Sequence, residues 1–124
     1  MSKFVKIQTE LHDLKLLKQA LDETRLEYQE DAVYQHTFSG FSGRLPLVVR
    51  KDHLTFGFRT RDDGAYELVA DDMQLRLIRP LLGQIQQRYA LHKVLQEAES
   101  AGFSLVEQNT GKDQVIRLTV RRWS

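Results

Sequence analysis

The chain has 124 residues, 41% of them hydrophobic and 28% charged, the balance of one folded domain over residues 1–124 rather than of a disordered chain. Its 18 basic and 17 acidic side chains leave a net charge of +1, so no overall field would hold it to nucleic acid. Cysteine is absent, which excludes disulfides, thiolate metal sites, iron–sulfur clusters held by the chain's own thiolates and a cysteine nucleophile.

Residues 3–9 alternate as a strand does, with Val5 and Ile7 on one side and Phe4, Lys6 and Gln8 on the other. The period then changes. Asp13 is placed to cap a helix whose apolar members are Leu14, Leu17, Ala20 and Leu21, widened by Leu16 and ending near Glu23 or Thr24. An extended segment begins at Leu26. Residues 30–43 are the least regular stretch, read as a strand followed by a turn punctuated by Ser39, Gly40, Ser42 and Gly43.

Residues 45–50 form the next expected strand, with a tight turn at Lys51 and Asp52. Leu54, Phe56 and Phe58 alternate with Thr55, Gly57 and Arg59, the mark of a half-buried strand. Gly57 inside it signals a bulge or a close approach by another part of the chain. Asp62-Asp63-Gly64 is a hairpin turn, because Asp-Gly accepts positive φ. The return strand sets Tyr66, Leu68 and Ala70 against Glu67, Val69 and Asp71.

Residues 71–80 are a connection, and a long helix is predicted from about Leu81 to Ala101, stopped by Gly102. Residues 103–108 and 114–123 form a last hairpin, turned at Asn109-Thr110-Gly111-Lys112, with Ile116, Leu118 and Val120 inward and Trp123 near its end. The order of elements predicts an α+β fold: a mainly antiparallel sheet with both helices packed on one face, a two-layer sandwich with its other face open.

Several blocks form a recognisable pattern: Phe4, Ile7 and Thr9, then Asp13-Leu14 with Leu16-Leu17 and Ala20-Leu21, and residues 66–71. It continues through Gln87-Arg88-Tyr89-Ala90 with His92, and Ile116-Arg117-Leu118 with Arg122-Trp123. In these blocks the chain resembles the hypothetical chloroplast reading frame 35 family, a domain of unknown function found in plastid and cyanobacterial genomes. One departure is Lys3, where such proteins often carry histidine, so no N-terminal histidine role transfers. The resemblance implies no reaction, substrate or cofactor. Its genomic neighbours imply partner proteins, among them an AAA-type ATPase and a ferredoxin-like protein. With no apolar run long enough to span a bilayer, the expected home is the cytoplasm or a plastid stroma.

Chemistry is concentrated on the long helix. At 100° per residue, Leu81, Leu82, Ile85, Tyr89, Leu91, His92 and Leu95 share one broad arc, with Arg88 and Glu99 at its edge. A small enzyme or ligand-binding domain would use Tyr89 and His92, oriented by Glu99 or by Asp71 from the sheet. The favoured account is structural: a His–Tyr pair with satisfied hydrogen bonds at the edge of the core. His12, His36, His53 and His92 show no i, i+4 pairing for a metal, and no motif predicts a cofactor.

Phe38 and Phe41 are unusual in a Gly/Ser turn and fit anchors for a partner, with Arg44 following. Arg117, Arg121 and Arg122 would line the open sheet face near Arg59 and Arg61, offering RNA or an acidic protein a platform. Outward charges also guard sheet edges. The reading that follows is a non-catalytic protein-interaction module. Its contacts would be the open sheet face and the Phe38–Phe41 loop, and RNA binding is the less favoured alternative.

Overall fold

The computed structural model describes residues 2–122. Five strands, β1 (Phe4–Gln8), β2 (Glu27–His36), β3 (Phe41–Lys51), β4 (Leu54–Thr60) and β5 (Tyr66–Asp71), form one antiparallel sheet in the order β1-β5-β4-β3-β2. Two helices, α1 (Leu14–Glu23) and α2 (Leu75–Ser100), lie on one face of it. A hairpin of β6 (Phe103–Thr110) and β7 (Ile116–Arg122) forms a separate two-stranded sheet that packs against α2. The fold is α+β with a mainly antiparallel sheet.

Local chemistry sets most boundaries. The Asp13 carboxylate accepts from the Leu16 N–H at 3.2 Å and caps α1. Gly64 takes φ +87° in the β4–β5 turn, and Asp52 takes φ +54° between β3 and β4. Leu16, Leu17, Ala20 and Leu21 of α1 and Ile78, Leu82 and Ile85 of α2 bury against Leu47, Val49, Phe56, Phe58, Leu68 and Ala70 of the sheet. Phe56 and Phe58 are fully buried, and each contributes roughly 2–3 kcal/mol by leaving water.

The long helix starts earlier than its sequence suggests. A 3₁₀ turn over Asp72–Gln74 leads into α2 at Leu75, and Pro80 lies inside the helix. The proline forfeits one bond to the Arg76 carbonyl, a loss outweighed by burial of Ile78, Leu82 and Ile85 on the far side. Asp71 caps the 3₁₀ turn by accepting from the Met73 N–H at 2.8 Å.

The middle of the sheet's reverse face is not open. Asp31, at φ +49°, and Pro46 drop out of the β2–β3 pairing and bend the two strands together. Before the bend, Tyr28, Leu47 and Val49 face the helices. Beyond it, Ala32, Tyr34, Leu45 and Phe41 join Phe4, Val48 and Val69 in a second cluster on the reverse face. The outer halves of β2 and β3 thus form an arm folded over the sheet. Gly57 makes room for it: a Cβ there would overlap Leu45 Cδ1 and come within 3.2 Å of the Leu47 carbonyl. Ser42 and Gly43, expected in a turn, belong to the arm's strand, and the turn is only Thr37–Gly40.

The C-terminal hairpin also departs from expectation. It does not join the main sheet, so Arg117, Arg121 and Arg122 are not across a sheet from Arg59 and Arg61. Ile116 and Leu118 are half-buried toward α2, whereas Val120 is 38% exposed. Trp123 lies outside the described residues.

Candidate functional site

The Tyr89–His92 motif ties the two helices together. Tyr89 is buried, and its hydroxyl accepts the backbone N–H groups of His12 (3.1 Å) and Asp13 (2.9 Å) at the head of α1. The Asp13 N–H is among the donors that a helix start leaves without intrahelical partners. His92 Nε2 meets both oxygens of Glu23, the last residue of α1, at 2.5 and 3.0 Å. One stretch of α2 therefore holds α1 at both ends.

The expected companions of His92 stand elsewhere. Asp71 projects from the sheet's reverse face, while Tyr89 belongs to the core on the helix face. Glu99 lines a groove with Leu95, Ala98 and Phe103 under the C-terminal hairpin. A wide groove of about 560 Å³ does run beside Tyr89, lined by Glu10, Leu11, His12, Gln86, Ala90, Lys93 and Val94. Its tyrosine hydroxyl already serves the α1 backbone, and Tyr89, His92 and Asp71 do not converge there.

Asp71 instead forms a cluster that sequence reasoning missed. His36 is only 4% exposed. Its Nδ1 accepts the Ser39 N–H at 3.2 Å and lies 2.7 Å from Ser39 Oγ, while Nε2 is 2.9 Å from Asp71 Oδ2. With Nδ1 accepting, the ring proton belongs on Nε2 and is donated to Asp71. Burial alone would raise the Asp71 carboxyl. Hydrogen bonds from the Met73 N–H, from His36 and from Ser2 outweigh it and hold the pKa below the usual carboxylate range. Burial pushes the Tyr34 hydroxyl up, and the negative charge of Asp71 adds to the shift. The available signal was the strand period, which puts His36 on the same side as Ala32 and Tyr34.

This cluster fastens the arm's tip. Ser39 Oγ also accepts the Phe41 N–H at 3.2 Å, and the Gly40 N–H donates to the Thr37 carbonyl at 3.3 Å. Behind the tip, Phe41 stacks on Phe4 with ring centroids 4.6 Å apart. Arg59 lies 5.7 Å from both rings and is held by Glu67 at 2.7 Å. Between these anchors the Phe38 side chain is 76% exposed.

The predicted partner-binding residues are thus dispersed. Phe38 stands at the arm's tip as expected. Phe41 is half-buried in the aromatic cluster rather than presented beside it. Arg44 braces the bend, donating from Nη1 to the Asp31 carbonyl at 2.7 Å. On the separate hairpin, Arg117 is paired with Asp113 at 2.9 Å and Arg122 lies 5.8 Å from the Phe103 ring centroid, while Arg121 is exposed. Among the described residues, no three His, Cys, Asp or Glu side chains are grouped to hold a metal ion. No helix among them is long and apolar enough to cross a membrane.

An α+β sheet with a folded arm and a helix clamp places the molecule in a structural class but names no reaction. Sequence comparison supplies the family. The model of DUF1257, described as a protein of unknown function, matches residues 20–119, and the chain belongs to that family. It is similar to the uncharacterized protein ycf35 of Pyropia yezoensis, 33% identical over 100% of this chain and 99% of the relative. The uncharacterized ycf35 proteins of Guillardia theta (30% identical over 99% of this chain and 98% of the relative) and Cyanophora paradoxa (28%, with coverage of 99% and 98%) are similar too. No solved structure matches the chain.

Proposed function

We propose that the protein is a non-catalytic protein-interaction module whose contact is the turn carrying Phe38. The observation that carries this reading is an aromatic side chain, 76% exposed, on a turn that is otherwise fixed. An aromatic anchor on a preorganised loop loses little entropy on binding, and such residues dominate protein interfaces. The arm spends its His36–Asp71 and Phe4–Phe41 contacts on placing that turn. The reverse face of the sheet is left out of the contact, because the arm covers its middle.

The partner is another protein met in the cytoplasm or a plastid stroma. The AAA-type ATPase and ferredoxin-like neighbours implied by the resemblance are the first to try. The RNA alternative has less support, since two of its three hairpin arginines already have intramolecular partners.

A photo-reactive phenylalanine analogue installed at position 38 in the native host tests the reading. Position 33, exposed on the same arm, is the control. Discrete protein adducts at 38 that are absent at 33 are expected. No adduct at 38, or the same adducts at both positions, would overturn it.

A further inference from the structure

The 3₁₀ turn and the first turns of α2 expose more apolar surface than a solvent-facing helix needs. Ile78, Leu82 and Ile85 face the core. Arg76, Leu77 and Pro80 are exposed on the other side, and Met73 is exposed on the 3₁₀ turn just before them. Met73 is 74% and Leu77 62% exposed. Gly83, one turn on, has open space where a Cβ would stand, so the stripe continues as a smooth surface.

Charge decides what this surface suits. Arg76 and Arg79 are exposed, and neither makes an ion pair among the described residues. The carboxylates preceding them in the chain are engaged. Asp71 binds His36 and the Met73 N–H, and Asp72 accepts the Lys3 N–H at 2.8 Å. Gln74, next to Met73 in the chain, lines a cleft of about 240 Å³ with Phe38, and its Oε1 accepts the Thr55 N–H at 3.3 Å. Phe38, Met73 and Leu77 are exposed apolar side chains, and Arg76 and Arg79 beside the last two are guanidinium groups without an ion pair among the described residues.

We propose that this surface takes an acidic segment of a partner protein bearing apolar anchors. Carboxylates would pair with Arg76 and Arg79, and leucine or aromatic side chains would pack among Phe38, Met73 and Leu77. The inference rests on the Phe38 turn being a protein contact and adds the partner's chemistry.

The test is selection of a random 12-residue peptide display library on the full chain, followed by anisotropy with the leading synthetic peptides. Enriched peptides should combine Asp or Glu with Leu or aromatic residues. Their affinity should fall at least tenfold in Arg76→Glu/Arg79→Glu, in Met73→Ala/Leu77→Ala and in Phe38→Ala, and should weaken with salt. All these positions are exposed, and circular dichroism checks that each variant is folded. Absence of enrichment, or peptides without acidic residues, overturns the proposal. Binding lost in Phe38→Ala but kept in the arginine double variant overturns the acidic partner and leaves the Phe38 contact standing. Binding that needs the arginines but not Phe38 overturns the Phe38 contact and this combined surface with it. Capture of phosphatidylserine-containing vesicles that the peptides do not displace would assign the surface to a membrane and overturn the proposal.

Discussion

Phe4 of β1 stacks on Phe41 of β3 with 4.6 Å between ring centroids, although β5 and β4 stand between those strands in the sheet. Only a fold of β2 and β3 back over the sheet brings the two rings together. Phe4 and Phe41 should therefore be energetically coupled across elements that share no backbone hydrogen bond. A double-mutant cycle to Ala, read by denaturant unfolding, should give a coupling of about 0.5–1.5 kcal/mol. Additivity of the two single variants would show that the stack adds nothing.

Gly57→Ala should destabilise the protein by about 1–3 kcal/mol, because the new methyl overlaps Leu45 and approaches the Leu47 carbonyl. If the conflict is with the leucine tip, Leu45→Ala should cost less in the Gly57→Ala background than in the wild type, so that the two losses do not add. Unfolding midpoints of the single and double variants decide it. An unchanged midpoint for Gly57→Ala would mean the arm does not rest on β4.

Asp71→Asn should cost about 1–3 kcal/mol at neutral pH by weakening the hydrogen bonds from His36 and Met73. The folded pKa of Asp71 lies below the ordinary carboxylate value. Its stabilising contribution is therefore complete above the unfolded pKa of about 3.9 and disappears as pH falls through the lower folded value. The gap between wild type and Asp71→Asn should accordingly be widest near pH 7 and shrink below about pH 4. A gap independent of pH would remove the charge from the account.

Tyr89→Phe should cost about 1–3 kcal/mol, since it leaves the N–H groups of His12 and Asp13 without their acceptor. Amide exchange at those two residues should accelerate more than at the centre of α1. Replacing Glu23 by Gln should matter less, within about 1 kcal/mol, because its pair with His92 is partly exposed.

What was legible in the sequence followed from local rules. Asp13 declared a helix start, Asp63-Gly64 a turn, and the alternation of Leu54, Phe56 and Phe58 a strand with one buried face. The apolar face of the long helix was also correct for Leu82, Ile85 and Tyr89. Gly57 announced a close approach without saying of what. The arm was not legible, because its cause is a positive φ at Asp31, a residue type that adopts it only on occasion, and its effect is contact between distant strands. His36 accordingly passed for one scattered histidine among four. Tyr89 and His92 were recognised as a motif, but their partners His12, Asp13 and Glu23 lie far away in the chain, where no periodicity points. Pro80 concealed the start of α2 because the helix tolerates it for the burial beyond.

The register of β1 has a consequence for synthesis. Phe4 pairs with Asp71 and Gln8 with Glu67, so β1 gains its neighbour only when β5, made about sixty residues after it, has left the ribosome. Until then Val5 and Ile7 travel on an unpaired strand of the nascent chain. A chaperone at the exit tunnel would meet that segment well before β5, and this edge of the sheet would close only once β5 had arrived.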